Sequence, residues 1–129
     1  MPDKLLVAIV DDDESIRETT KDLLESAGLH AAAFASAQAF LESPPARVSC
    51  VVADMRMPGM SGLALYEHLA ASGAGLPTVL ITAYPDERIR AQALKAGITA
   101  YLAKPFSDEE LLACIRSAVQ QGATLTKER

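Results

Sequence analysis

The sequence predicts an α/β fold: a doubly wound, five-stranded parallel sheet in the order 2-1-3-4-5, with helices on both faces. Two observations carry this expectation. Five short apolar runs, at residues 5–10, 30–34, 48–53, 78–82 and 99–102, alternate with segments of helical period. The first, third and fourth runs are nearly continuous in Val, Ile, Leu and Ala, as in central strands covered on both faces, whereas a half-exposed strand would alternate. Repeated strand–helix units with right-handed crossovers leave few topologies, and 2-1-3-4-5 is the common small one.

The helical segments follow from stop and start signals. Residues 14–27 place Ile16, Thr20, Leu23, Leu24 and Ala27 on one face, and Gly28 ends the helix in a left-handed conformation. Asp13 is expected to cap it. Gly59 and Gly62 bracket the turn into the third helix. The fourth, over 86–96, stops at Gly97; its "DERIR" run is read as a solvated face. The last opens on Ser107-Asp-Glu-Glu110, a capping box in which each side chain satisfies a free backbone N–H, and then runs Leu111, Leu112, Ile115, Ala118 and Val119 along one stripe. Beyond Gln121 the periodicity is lost. Residues 1–121 are therefore expected to form one domain, and 122–129 a frayed tail or linker.

Bulk properties narrow the function. At 129 residues, half of them hydrophobic, the chain suffices for one domain with its own core. A net charge of −5 argues against direct nucleic-acid binding, which needs clustered Lys and Arg. The opening apolar run is too short for a signal peptide, and no segment reaches the ~20 apolar residues of a membrane span. Cys50 and Cys114 lie in apolar contexts without metal-type spacing and are expected to be buried thiols in a reducing cytoplasm. His30 and His68 join no cluster and read as surface or structural residues. Met55, Met57 and Met60 read as loop packing.

Chemistry concentrates at one sheet edge. Asp11 and Asp12 follow the first strand, and Asp54 follows the third, its neighbour in the predicted order. Two carboxylates ~4 Å apart repel by about 4 kcal/mol at an effective dielectric near 20, so either the acids titrate or a cation sits among them. Oxygen-only ligands with open positions suit Mg²⁺. Thr82 closes the fourth strand and Lys104 the fifth, reaching the same edge. A hydroxyl and an ammonium facing a carboxylate–metal cluster suit a transferred phosphoryl group, with Asp54 as nucleophile.

The set "VDDD", "DMRMPGMSG", "TAY" and "YLAKPF", in this order and each ending a predicted strand, resembles the receiver domain of bacterial two-component response regulators, in particular the nitrogen-fixation regulator group. The likeness runs from about Lys4 to Gln121. It implies a flavodoxin-like (βα)5 fold and a cytoplasmic phosphoprotein. Asp54 would take a phosphoryl group from a sensor histidine kinase or a phosphotransfer protein, with Mg²⁺ as cofactor and Mn²⁺ able to replace it. By the same resemblance Asp12 is the direct metal ligand, Asp11 holds metal-bound water, and Arg56 offers its backbone carbonyl. Thr82 is the switch hydroxyl, Lys104 pairs with the phosphorylated side chain, and Tyr101 moves inward when Thr82 moves. The Lys104–Pro105 bond is implied to be cis. The face of helix 4, strand 5 and helix 5 would then control a partner or an attached effector, with homodimerisation on phosphorylation an option. The chain would be no enzyme beyond catalysing its own phosphorylation and dephosphorylation.

The Pro58, Gly59 and Gly62 turn is expected to fold the loop back toward the metal. Arg56 and Tyr84, two residues beyond Asp54 and Thr82, are expected to hinder the water that would hydrolyse an aspartyl phosphate. Two other functions compete. An Asp-nucleophile phosphatase of the haloacid dehalogenase type shares the Asp, Mg²⁺, Thr and Lys set, but needs a general acid where Arg56 stands and a cap for which there is little room. A constitutive interaction module would have lost pocket residues, and none is missing. The chain is expected to be either a stand-alone regulator or the receiver part of a longer one; the ending "LTKER" resembles the start of a helix-turn-helix effector in the same group.

Overall fold

The computed structural model describes residues 5–42, 45, 47–73 and 75–127, with side chains described to residue 120. Strands β1 (Leu6–Val10), β2 (His30–Phe34), β3 (Cys50–Asp54), β4 (Thr78–Thr82) and β5 (Ala100–Ala103) alternate with helices α1 (Glu14–Ser26), α2 (Ala37–Glu42), α3 (Gly62–Ala71), α4 (Glu87–Ala96) and α5 (Asp108–Lys127). All strand pairs are parallel and the order is β2-β1-β3-β4-β5, as predicted.

Alternation along the strands divides the core in two. Ala8 and Val10 of β1, Val51 and Ala53 of β3 and Leu80 of β4 pack with Ala37, Phe40, Leu63, Leu65, Leu69 and Ala93 from α2, α3 and α4. Val7 and Ile9, Cys50 and Val52, and Val79 and Ile81 point the other way, against Leu24 of α1 and Leu111, Ile115 and Ala118 of α5. The near-continuous apolar runs of β1, β3 and β4 follow from this, because both faces of each are buried.

The capping signals act as read. Asp13 accepts the Ile16 N–H, Ser107 and Glu110 form the reciprocal box, and Gly28 and Gly97 take φ of +90° and +117°. Four expectations are corrected. Ala27 is exposed rather than on the buried face of α1, because it is the C-cap, where the chain already leaves the sheet. Cys50 is buried but Cys114 only half so, since it lies at the border of the stripe set by Leu111, Ile115 and Ala118. Asp54 is the last residue of β3 rather than the first after it, and Lys104 follows β5 rather than closing it. Apart from these, the backbone of α5 continues helical through residues 121–127, beyond the end of the apolar period. Helical hydrogen bonding needs no buried stripe, and no proline interrupts this segment. Residues 1–4 and 128–129, within the expected domain and tail, lie outside the described residues.

Candidate functional site

Parallel pairing brings the site together. Val10 stands opposite Ala53, so Asp11 and Asp54 leave the sheet side by side. Asp54 is in turn opposite Ile81, and Thr82 opposite Ala103, the residue before Lys104. Residues far apart in sequence thus meet at the carboxyl edge of the sheet, where open α/β folds place their ligands.

Asp11, Asp12 and Asp54 each present a carboxylate oxygen, the three lying within 4.8 Å of one another. Asp11 is buried, Asp54 half-buried and Asp12 exposed, so the cluster opens toward solvent. Burial pushes the Asp11 carboxyl up to about 6; the Asp13 N–H works against this, the charges of Asp54 and Asp12 add to it, and Lys104 opposes it. Three oxygen donors at this spacing, one of them reluctant to ionise alone, fit a hard divalent cation such as Mg²⁺ or Mn²⁺.

Lys104 Nζ lies 3.1 Å from Asp54 Oδ2 and 3.9 Å from Asp11 Oδ2. Its own N–H donates to the Thr82 carbonyl, which ties it to β4, and the Lys104–Pro105 bond is cis. The other Asp54 oxygen, Oδ1, accepts the Arg56 N–H at 3.0 Å. The loop beyond is closed by the Gly62 N–H donating to the Met55 carbonyl, with Gly59 at φ +84°. Gly62 is needed for its small size: a Cβ there would stand 2.6 Å from the Asp54 carbonyl oxygen and 2.9 Å from Leu80 Cδ2. Met55, Met57 and Met60 pack against the core at this loop, as expected.

Thr82 and Tyr101 stand differently. Thr82 is buried, and its Oγ1 accepts the Tyr84 N–H at 3.0 Å. Tyr101 is half-buried against the α3–α4 side of the core, and its hydroxyl accepts the Asp86 N–H at 3.3 Å, at the start of α4. Asp54 shares the strand face of Val52, whereas Thr82 shares that of Leu80. The four charged residues therefore form one cluster, and Thr82 with Tyr101 leads away from it toward α4. Arg56 lays its guanidinium over the Tyr84 ring, 4.5 Å from the centroid, and Tyr84 is 64% exposed. His30 and His68 are exposed.

Two contributors escaped the sequence reading. Arg17 Nη1 donates to the Asp11 carbonyl at 2.8 Å; its only sequence signal is a cation in the first turn of a helix, where the macrodipole disfavours one. Asp86 caps α4 through the Arg88 and Ile89 N–H groups while its own N–H meets Tyr101.

Comparison with known proteins agrees with this geometry. The family model for the response regulator receiver domain matches residues 7–116. The transcriptional regulatory protein FixJ of Azorhizobium caulinodans is 40% identical over 124 residues, which cover 95% of this chain and 59% of that protein. Nodulation protein W of Bradyrhizobium diazoefficiens is 39% identical over 119 residues, covering 92% of this chain and 52% of its own length. The chain thus spans between half and three fifths of these relatives. Among solved structures, the response regulator StyR superposes with a TM-score of 0.87 at 43% identity over 98% of this chain and 65% of its own. The FixJ-N structure gives 0.83 at 34% identity, covering 93% and 96%. With a family model matched over most of its length and relatives of this similarity, the chain belongs to the response regulator receiver domain family of two-component signalling.

Proposed function

We propose that the chain is a phosphoryl-accepting switch in which Asp54 receives the group from a histidine kinase or a phosphotransfer protein. The observation that carries this reading is Asp54 itself: a strand-end carboxylate with Lys104 at 3.1 Å and two further acids within 4.8 Å. An Asp54 carboxylate oxygen attacks phosphorus, the bond from phosphorus to the donor nitrogen breaks with its electron pair passing to that nitrogen, and the donor imidazole, protonated beforehand on its other ring nitrogen, leaves as a neutral base. Asp11, Asp12 and Asp54, with the Arg56 carbonyl, would hold Mg²⁺ or Mn²⁺, which supplies positive charge against the phosphoryl oxygens. Lys104 stands ready to exchange its carboxylate contact for a phosphoryl oxygen.

The switch would run through Thr82. Its hydroxyl oxygen already accepts the Tyr84 N–H, which leaves the hydroxyl proton available to a phosphoryl oxygen. Moving Thr82 would pull on the loop from Tyr84 to Asp86, whose N–H is held by Tyr101. The face of α4, β5 and α5 would then change for a partner or an attached effector, and phosphorylation biases two states that both pre-exist. A phosphatase of the haloacid dehalogenase type is disfavoured by Arg56, a cation stacked on Tyr84 where that chemistry needs an acid.

The test is intact mass after incubation with acetyl phosphate, with and without Mg²⁺, on the wild type and Asp54→Asn. A single phosphoryl adduct that requires both Mg²⁺ and Asp54 is expected. An adduct that persists in Asp54→Asn sinks the assignment.

A further inference from the structure

We infer that Arg17 is a positioning residue for the acidic cluster: its guanidinium holds the peptide plane between Asp11 and Asp12, and with it the directions of both carboxylates toward a divalent cation. This rests on the metal reading proposed above. Arg17 is half-buried and donates from Nη1 to the Asp11 carbonyl at 2.8 Å. That carbonyl belongs to the Asp11–Asp12 peptide, so holding it restrains ψ of Asp11 and φ of Asp12 together. The neighbouring peptides are held as well. The Asp11 N–H donates to the Phe34 carbonyl of β2, and the Asp13 N–H donates to Asp11 Oδ1.

Asp12 depends on this restraint more than Asp11 does. Asp11 is buried, accepts the Asp13 N–H and faces Lys104. Asp12 is exposed, and among the described residues no side-chain hydrogen bond or salt bridge holds it. Only the main chain beneath it therefore limits its reach, by fixing the direction of the Cα–Cβ bond from which the carboxylate turns. The placement of Arg17 also runs against local preference. It lies in the first turn of α1, whose N-terminus carries partial positive charge, and a cation there is unfavourable unless it is used elsewhere. A charge-assisted bond to a carbonyl beside three acids is such a use.

Positioning and simple charge make opposite predictions. Removing a cation near a divalent-cation site should tighten metal binding by Coulomb's law. Removing a restraint on the ligands should weaken it. The experiment is direct Mn²⁺ binding to the full, unphosphorylated chain, read by the free-Mn²⁺ electron paramagnetic resonance signal at 15 °C. The proteins are the wild type, Arg17→Ala, Arg17→Lys and Lys21→Ala, a charge control on the same helix.

We expect Arg17→Ala to bind roughly 10-fold more weakly, the scale at which groups that orient metal ligands act. Arg17→Lys, which keeps the charge but loses the planar fork, should fall between Arg17→Ala and the wild type, and Lys21→Ala should match the wild type or bind slightly tighter. Thermal melts without metal confirm that each variant is folded at the working temperature; if Arg17→Ala is not, Arg17→Lys decides. Unchanged or tighter binding by the folded variant overturns the inference alone. A wild type that binds no Mn²⁺ overturns the metal reading and the inference with it.

Discussion

Asp11→Asn should stabilise the metal-free protein while removing its response to Mg²⁺. Asp11 is 4% exposed, and its carboxyl is pushed up from 3.8 to about 6, chiefly by burial. A carboxyl whose folded pKa lies above its unfolded value binds more protons in the native state. Native stability therefore falls as pH rises from about 4 to about 6, and the whole penalty is present at pH 7.5. A shift of this size corresponds to about 3 kcal/mol. Asn removes the charge but keeps an Oδ1 that can accept the Asp13 N–H, so that bond survives. The 3.9 Å attraction to Lys104 is already contained in that shift, so the net gain stays on the order of 3 kcal/mol. For a domain of this size that is a rise in Tm of about 12 °C. The assay is thermal unfolding by circular dichroism in EDTA at pH 7.5 and pH 4.5. The advantage of Asp11→Asn should shrink to about a third at pH 4.5, where the native wild-type carboxyl is protonated while the unfolded one is still mostly ionised. Mg²⁺ at pH 7.5 should raise the wild-type Tm and leave the variant's unchanged. Equal Tm values at pH 7.5, or a gain that persists undiminished at pH 4.5, would refute the burial argument.

Three further outcomes follow from the same structure. Gly62→Ala places a Cβ against the Asp54 carbonyl and Leu80, and should cost about 1–3 kcal/mol in denaturant unfolding while slowing phosphorylation by acetyl phosphate, because the Asp54 main chain must move. Arg56→Asn combined with Tyr84→Ala removes the stacked pair beside Asp54 and should shorten the lifetime of the phosphorylated form several-fold, followed by intact mass after desalting; an unchanged lifetime removes the shielding role. Burial pushes the Cys50 thiol up to about 12, so iodoacetamide at pH 8 should label Cys114 first and reach Cys50 only in denaturant; peptide mapping reads the order.

Much of this was legible in the chain because the signals are local or periodic. The unbroken apolar runs of β1, β3 and β4 report burial on two faces, and Asp13, Gly28, Gly97 and the Ser107–Glu110 box mark helix ends by their own hydrogen bonds and backbone angles. The errors fell where that logic ends. Ala27 continues the apolar period of α1 but sits at a C-cap, and Cys114 sits at the border of a buried stripe. Asp54 and Lys104 each missed their strand boundary by one residue, because hydrogen-bond pairing with a neighbour, rather than residue type, decides where a strand ends.

The sequence by itself determined that acids, a hydroxyl and a lysine end four strands of one parallel sheet, because hydrophobic period and turn residues set those ends. It could not determine distances. That Lys104 stands 3.1 Å from Asp54 across fifty residues depends on register and on the reach of one side chain. That Thr82 points with Leu80 toward α4, away from the charged cluster, depends on strand parity once the sheet is assembled. Arg17 is the clearest case. In sequence it is one cation among the charges of an amphipathic helix; only when α1 packs beside the end of β1 does its guanidinium meet the Asp11 carbonyl, because a hydrogen bond to main chain leaves no mark on the residue that accepts it.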